Sequence, residues 1–160
     1  MVRDTLLRKL RDRRERWHRV LGELGLSIAE DGDLGRVVGG GWTLADHLVH
    51  IAAWERRYAR VVSRAPRLAY PSGWQAFNDA VYAEWKDASP SRVRSEYEGA
   101  HDELLAAIGA LPPEGDPERP TLLGGRDMGE LVFHYRAHAS MLLEDAGLPK
   151  PPPWRGRVVD

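Results

Sequence analysis

Apolar residues recur at three- and four-residue steps in four long stretches of this chain. Nowhere do they alternate with polar residues over a useful length. Leu7, Leu10, Trp17, Leu21 and Leu24 form the first stripe and predict a helix over 3–24. Arg14 interrupts that stripe; a snorkelling side chain, stem on the core and head in water, accounts for it better than an inward-facing ligand contact. Leu44, Leu48, Ile51, Tyr58 and Val62 predict a second helix running to about 63. Thr43 is its N-cap, and Asp46 stands in the place of a capping-box acid, where Glu or Gln is preferred, so another partner for Asp46 stays open. A shorter helix over about 73–87 carries Phe77, Val81 and Trp85. Ser89-Pro90 then starts a third long helix through Val93, Tyr97, Leu104, Ile108 and Leu111. Asp127 opens the last, with Leu131, Tyr135, His138 and Leu142 on its stripe, and Gly147-Leu148-Pro149 closes it.

These elements predict an all-α four-helix bundle and no sheet of three or more strands. About 25 residues, with their own short helix, join the second and third long helices. That connection is long enough for a crossover and favours up-down-down-up order. The bundle is expected as one domain over 1–150, followed by a Pro-rich tail over 151–160 with Trp154 docked on the body. The glycine-rich interval 26–41 is expected to be the most irregular and mobile part of the body.

Composition narrows the function classes. There is no cysteine, which removes disulfides, thiolate metal sites and cysteine nucleophiles. No apolar run nears the roughly 20 residues of a membrane span, and the start of the chain carries no apolar signal region, so a cytoplasmic protein is expected. A formal charge of −1 gives no global attraction to nucleic acid or anionic membrane. Residues 1–20 are locally basic, but without the aromatic–basic interleaving of a nucleic-acid face, so a solvated helix face explains them.

The candidate chemistry lies in histidines. His134 and His138 stand four apart on the core side of the last helix and can aim two imidazoles at one spot. His50, near the apolar edge of the second helix, can supply a third nitrogen and leave open positions on a divalent ion. His47 competes with His50, being only about 60° away around the helix, unless it faces solvent beside Asp46. His101 reads as a half-exposed polar flank, and His18 has no partner in view. Several buried imidazoles each need a partner, and a shared metal satisfies them together.

Gly41-Trp42-Thr43-Leu44-Ala45-Asp46, followed by His50 and Trp54, resembles the opening of the second helix in the DinB-like (YfiT-like) superfamily. The His-Tyr-x-x-His run at 134–138 resembles that group's last-helix motif. Phe77-Asn78-Asp79-Ala80-Val81-Tyr82 and the helix after Ser89-Pro90 resemble its ClbS/DfsB-type branch. The resemblance implies an up-down-down-up bundle, His50, His134 and His138 as metal ligands, and often a homodimer. It implies activity only loosely: metal-dependent hydrolases, transferases using a low-molecular-weight thiol, and a cyclopropane-opening self-resistance protein all occur in the group.

The leading expectation is a metal-dependent hydrolase or thiol-dependent transferase acting on a small molecule. Zn, Ni, Mn or Fe would serve, each lowering the pKa of a water or an incoming thiol. Asp46 and Glu130, one turn before His50 and His134, are the candidates to orient the imidazoles. Trp54 is a candidate pocket wall, and Tyr58, Asn78 and Tyr135 are candidate substrate contacts. The alternative is a non-catalytic binding or sequestering protein with a vestigial metal site, its pocket walled by some of the six tryptophans.

Overall fold

The computed structural model describes residues 2–150, the side chains of Arg126 and Asp127 apart. The tail over 151–160, with the docking expected of Trp154, lies outside the described residues. Six helices occur among them: α1 (Val2–Glu23), α2 (Asp31–Leu34), α3 (Leu44–Ser63), α4 (Trp74–Trp85), α5 (Pro90–Gly109) and α6 (Arg126–Asp145). The fold is all-α, and the one sheet is a two-stranded hairpin of β1 (Val37–Gly39) and β2 (Trp42–Thr43).

The helix starts follow their local chemistry. Thr43 Oγ1 accepts from the Asp46 backbone at 3.1 Å, while Asp46 Oδ2 accepts from the Thr43 backbone at 2.8 Å, a complete capping box. Ser89 caps α5 through the Arg92 backbone, with Pro90 in the first turn.

Two clusters of buried side chains give the helix directions. One joins Trp17 and Leu21 late in α1, Leu44 and Leu48 early in α3, Val93 and Tyr97 early in α5, and Ala139 and Leu142 late in α6. The other joins Leu6 and Leu10 early in α1, Ala59 and Val62 late in α3, Leu104 and Ile108 late in α5, and Met128 and Leu131 early in α6. α1 and α6 therefore run one way and α3 and α5 the other, which is up-down-down-up. α4 lies within the crossover and packs on α3.

Arg14 does not snorkel. It is buried at 7% exposure, and its guanidinium faces the Tyr97 carbonyl, the Tyr135 hydroxyl, Glu98 and Glu55. The glycine-rich interval is also more ordered than its composition suggests. It holds α2 and β1, buries Leu26 and Leu34, and lays β1 on α6. A Cβ on Gly39 would stand 3.0 Å from the Met141 carbonyl carbon, so only glycine lets these two backbones meet at that distance.

Candidate metal centre

α3 and α6 run antiparallel, and the histidines lie where they face each other. His50, His134 and His138 each offer a ring nitrogen, and those nitrogens all fall within 4.8 Å of one another. The His134 and His138 Nε2 atoms are 3.1 Å apart. Two nitrogens each about 2.0–2.1 Å from one ion are roughly 2.8–3.4 Å apart at octahedral to tetrahedral angles. The His134–His138 spacing fits a shared cation, with His50 close enough to supply a third nitrogen.

Burial sets the charge of these rings. It pushes His50 down to about 4 and His134 to about 3, while His138 falls well below its ordinary value; the neighbouring imidazoles lower each of the three further. Near pH 7 all three rings are neutral, the state in which an imidazole can bind a metal.

His47 is fully buried and does not face solvent. Its Nε2 is 3.2 Å from the Gly39 carbonyl oxygen, and its Nδ1 is 2.7 Å from His138 Nδ1. A carbonyl only accepts, so His47 Nε2 carries the proton and its Nδ1 is a bare acceptor, burial holding the ring neutral with a pKa of about 4. His138 Nδ1 must then donate, which leaves His138 Nε2 with a free lone pair towards His134 and His50. One backbone carbonyl thus fixes two tautomers in series. His47 lies outside the three-nitrogen group but directly behind one of its members.

Tryptophans enclose the cluster. The Trp42 ring centroid is 5.0 Å from His50 and 5.4 Å from His47, covering the cluster from the hairpin. Trp17 approaches His138 from α1 at 6.4 Å, and Trp54 meets His134 edge-on at 6.3 Å.

The other sequence candidates are placed as follows. Asp46 commits its Oδ2 to the Thr43 backbone and hydroxyl, a capping role and not the orientation of a ring. Trp54 donates its indole N–H to Asn78 Oδ1 at 3.1 Å, which fixes the wall it forms. Tyr58 and Glu130 line a cleft beside Trp54. Tyr135 does not reach that cleft: it is fully buried and donates to Glu55 Oε1 at 2.6 Å, because one residue beyond His134 turns a side chain about 100° around the helix. His101 is no exposed flank, being 6% exposed and hydrogen-bonded through Nδ1 to the same Glu55 oxygen. His18 does have a partner, the Tyr97 hydroxyl at 3.0 Å.

Trp42, Gly39 and the second-rank His47 are the site residues that sequence reasoning missed or misplaced. Trp42 stood in the recognised motif directly ahead of the Thr43 cap, and that adjacency was the available signal.

A family model of the DinB superfamily matches residues 10–141, which takes in His50, His134, His138 and the hairpin. The chain belongs to the DinB superfamily. Comparison with curated proteins and with solved structures finds no significant match. No helix among the described residues is long and apolar enough to cross a membrane.

Proposed function

We propose that this DinB-superfamily protein is a metal-dependent enzyme, a hydrolase or thiol-dependent transferase acting on a small molecule. His50, His134 and His138 hold the divalent ion. The observation that carries this reading is the convergence of three neutral imidazoles, His50 and His138 buried and His134 half-buried, with the Nε2 atoms of 134 and 138 close together. A divalent ion there supplies Lewis acidity, which makes a water or a thiol a nucleophile near neutral pH. Zn, Ni, Mn and Fe all suit imidazole donors. A thiol would come from a low-molecular-weight cosubstrate, since the chain has no cysteine.

The chain's own residues do the positioning. His47 and the Gly39 carbonyl keep the His138 lone pair directed at the site, and Trp42 and Trp54 limit the access of water. Glu130, one turn before His134, places a carboxylate on the wall of the adjoining cleft. Within the superfamily, the segment 77–82 and the start of α5 favour the ClbS/DfsB-type branch.

Metal analysis of protein purified without a polyhistidine tag tests the proposal. One divalent ion per chain is expected, lost on His134→Ala or His138→Ala and kept on His101→Ala. Protein that takes up no metal when dialysed against each of the four ions would overturn it. A second reading, ligand retention without turnover, draws on the large cleft beside the site. It predicts that a bound small molecule is recovered chemically unchanged, with or without chelator.

A further inference from the structure

The cleft beside Trp54 encloses about 1030 Å³ between the C-terminal half of α3, the start of α4 and the segment leading into α6. Its composition is unusual for a chain whose formal charge is −1. Arg57, Arg60, Arg64, Arg67 and Arg119 all line it, against the single carboxylate of Glu130. Arg64 and Arg119 are neutralised by Asp116, and Arg64 also by Glu118. Arg57, Arg60 and Arg67 have no carboxylate partner among the described residues.

Proximity to a helix C-terminus explains one of these three in part. Arg60 lies in the last turn of α3, and its guanidinium donates to the Pro66 carbonyl at 3.2 Å, but its buried Nε–H has no acceptor. Arg57 is a turn further in, and Arg67 is beyond the helix. Arg57 is held over the Trp54 and Phe77 rings at 4.9 and 5.0 Å, which fixes a cation against an aromatic wall. Trp74, 67% exposed, stands at the lip. Trp54 is common to both sites: it walls the cleft and meets His134 edge-on.

We propose that this cleft is the substrate subsite and that it takes an organic anion, a carboxylate or phosphate head on an aromatic or other apolar body. Resting on the metal-site reading for what happens next, the anionic head lies on Arg57, Arg60 and Arg67, whose forked donors suit either group. The apolar body lies along Phe77, Tyr70 and Trp54, and its far end is directed towards His134.

Calorimetric titration with matched probes tests this: 1-naphthaleneacetate against its neutral amide, and 1-naphthyl phosphate against 1-naphthol. At least one anion is expected to bind tenfold or more tighter than its neutral partner, and to weaken as salt rises. Whichever anion shows the larger preference identifies the head group. The variant Arg57→Gln/Arg60→Gln/Arg67→Gln should lose that preference while keeping its metal. His134→Ala should lose its metal while keeping the preference, so the cleft and the metal site stand or fall separately. Equal affinity for anion and neutral partner in the unmodified protein, no binding of any probe at millimolar concentration, or a preference that survives the triple substitution would each overturn the proposal.

Discussion

A carbonyl oxygen can only accept a hydrogen bond, and at Gly39 that constraint reaches through two rings to the candidate metal centre. His47 stands between the carbonyl and His138, protonated on the first side and bare on the second. Replacing His47 with Phe keeps an aromatic ring of similar size but removes the acceptor for His138 Nδ1. Metal affinity should then fall by about ten- to a hundredfold with the three ligands intact. Competition against a chelator of known affinity measures this, and unchanged affinity would sink the relay. The same burial gives the metal-free protein a pH signature. His47, His50, His134 and His138 are held neutral when folded, to about 4 or lower, whereas in the unfolded chain they titrate near 6.5. Above about 6.5 they are neutral in both states and contribute no pH dependence. As pH falls from there towards 4 the unfolded chain binds protons that the folded one does not, so stability falls. Urea midpoints between pH 8 and 4 should show that decline. A flat profile would mean that the rings are not buried as described.

At the scale of elements, the long helices were legible in the sequence and the hairpin was not. Each long helix carries its own stripe and most carry a stop or start signal, so boundaries such as Leu44–Ser63 follow from neighbouring residues alone. α2, β1 and β2 are two to four residues long, too short for any periodicity to register. What places β1 is contact with α6, most directly where Gly39 lies against Met141, while α2 and β2 pack on α3. The site was legible to the same extent. His50, His134 and His138 sit on helices, so spacing brings them together; Trp42 and the Gly39 carbonyl arrive from the hairpin. Gly39→Ala tests this dependence. The added methyl has no room against the Met141 backbone and should push β1 outwards, at a cost of about 1–3 kcal/mol. Metal affinity should fall with it, because the carbonyl that orients His47 moves too. Chelator competition together with thermal melting would check both. A variant with full affinity would show that the hairpin is dispensable to the site.

Across the whole molecule, one buried polar group links all four long helices. Glu55 of α3 is fully buried; its Oε1 accepts from His101 of α5 at 2.9 Å and Tyr135 of α6 at 2.6 Å. Its Oε2 faces Arg14 of α1 at 3.7 Å. Arg14 looked like a snorkelling residue because its partners lie far along the chain, where no local pattern reports them. The same distance hides the partners of His101 and Tyr135 from any local pattern. A network that takes one member from each long helix is satisfied only when all four are in register, which favours this arrangement over slipped alternatives. Removing its centre should therefore be costly and non-additive. Glu55→Leu leaves Arg14, among the described residues, with only exposed Glu98 as an acidic partner and strands two buried donors, a loss of about 3 kcal/mol or more. Tyr135→Phe alone should cost about 1 kcal/mol. In the Glu55→Leu background it should cost less, since the hydroxyl no longer has an acceptor and keeps only the bond it accepts from Arg14 at 3.3 Å. Denaturant unfolding of the four proteins gives the coupling, expected at about 1–3 kcal/mol. Metal content should remain unchanged throughout, because Tyr135 and His134 point to different faces of α6. Additive losses would mean that Glu55 and Tyr135 stabilise the bundle independently, and metal lost in step with stability would place the network inside the site rather than behind it.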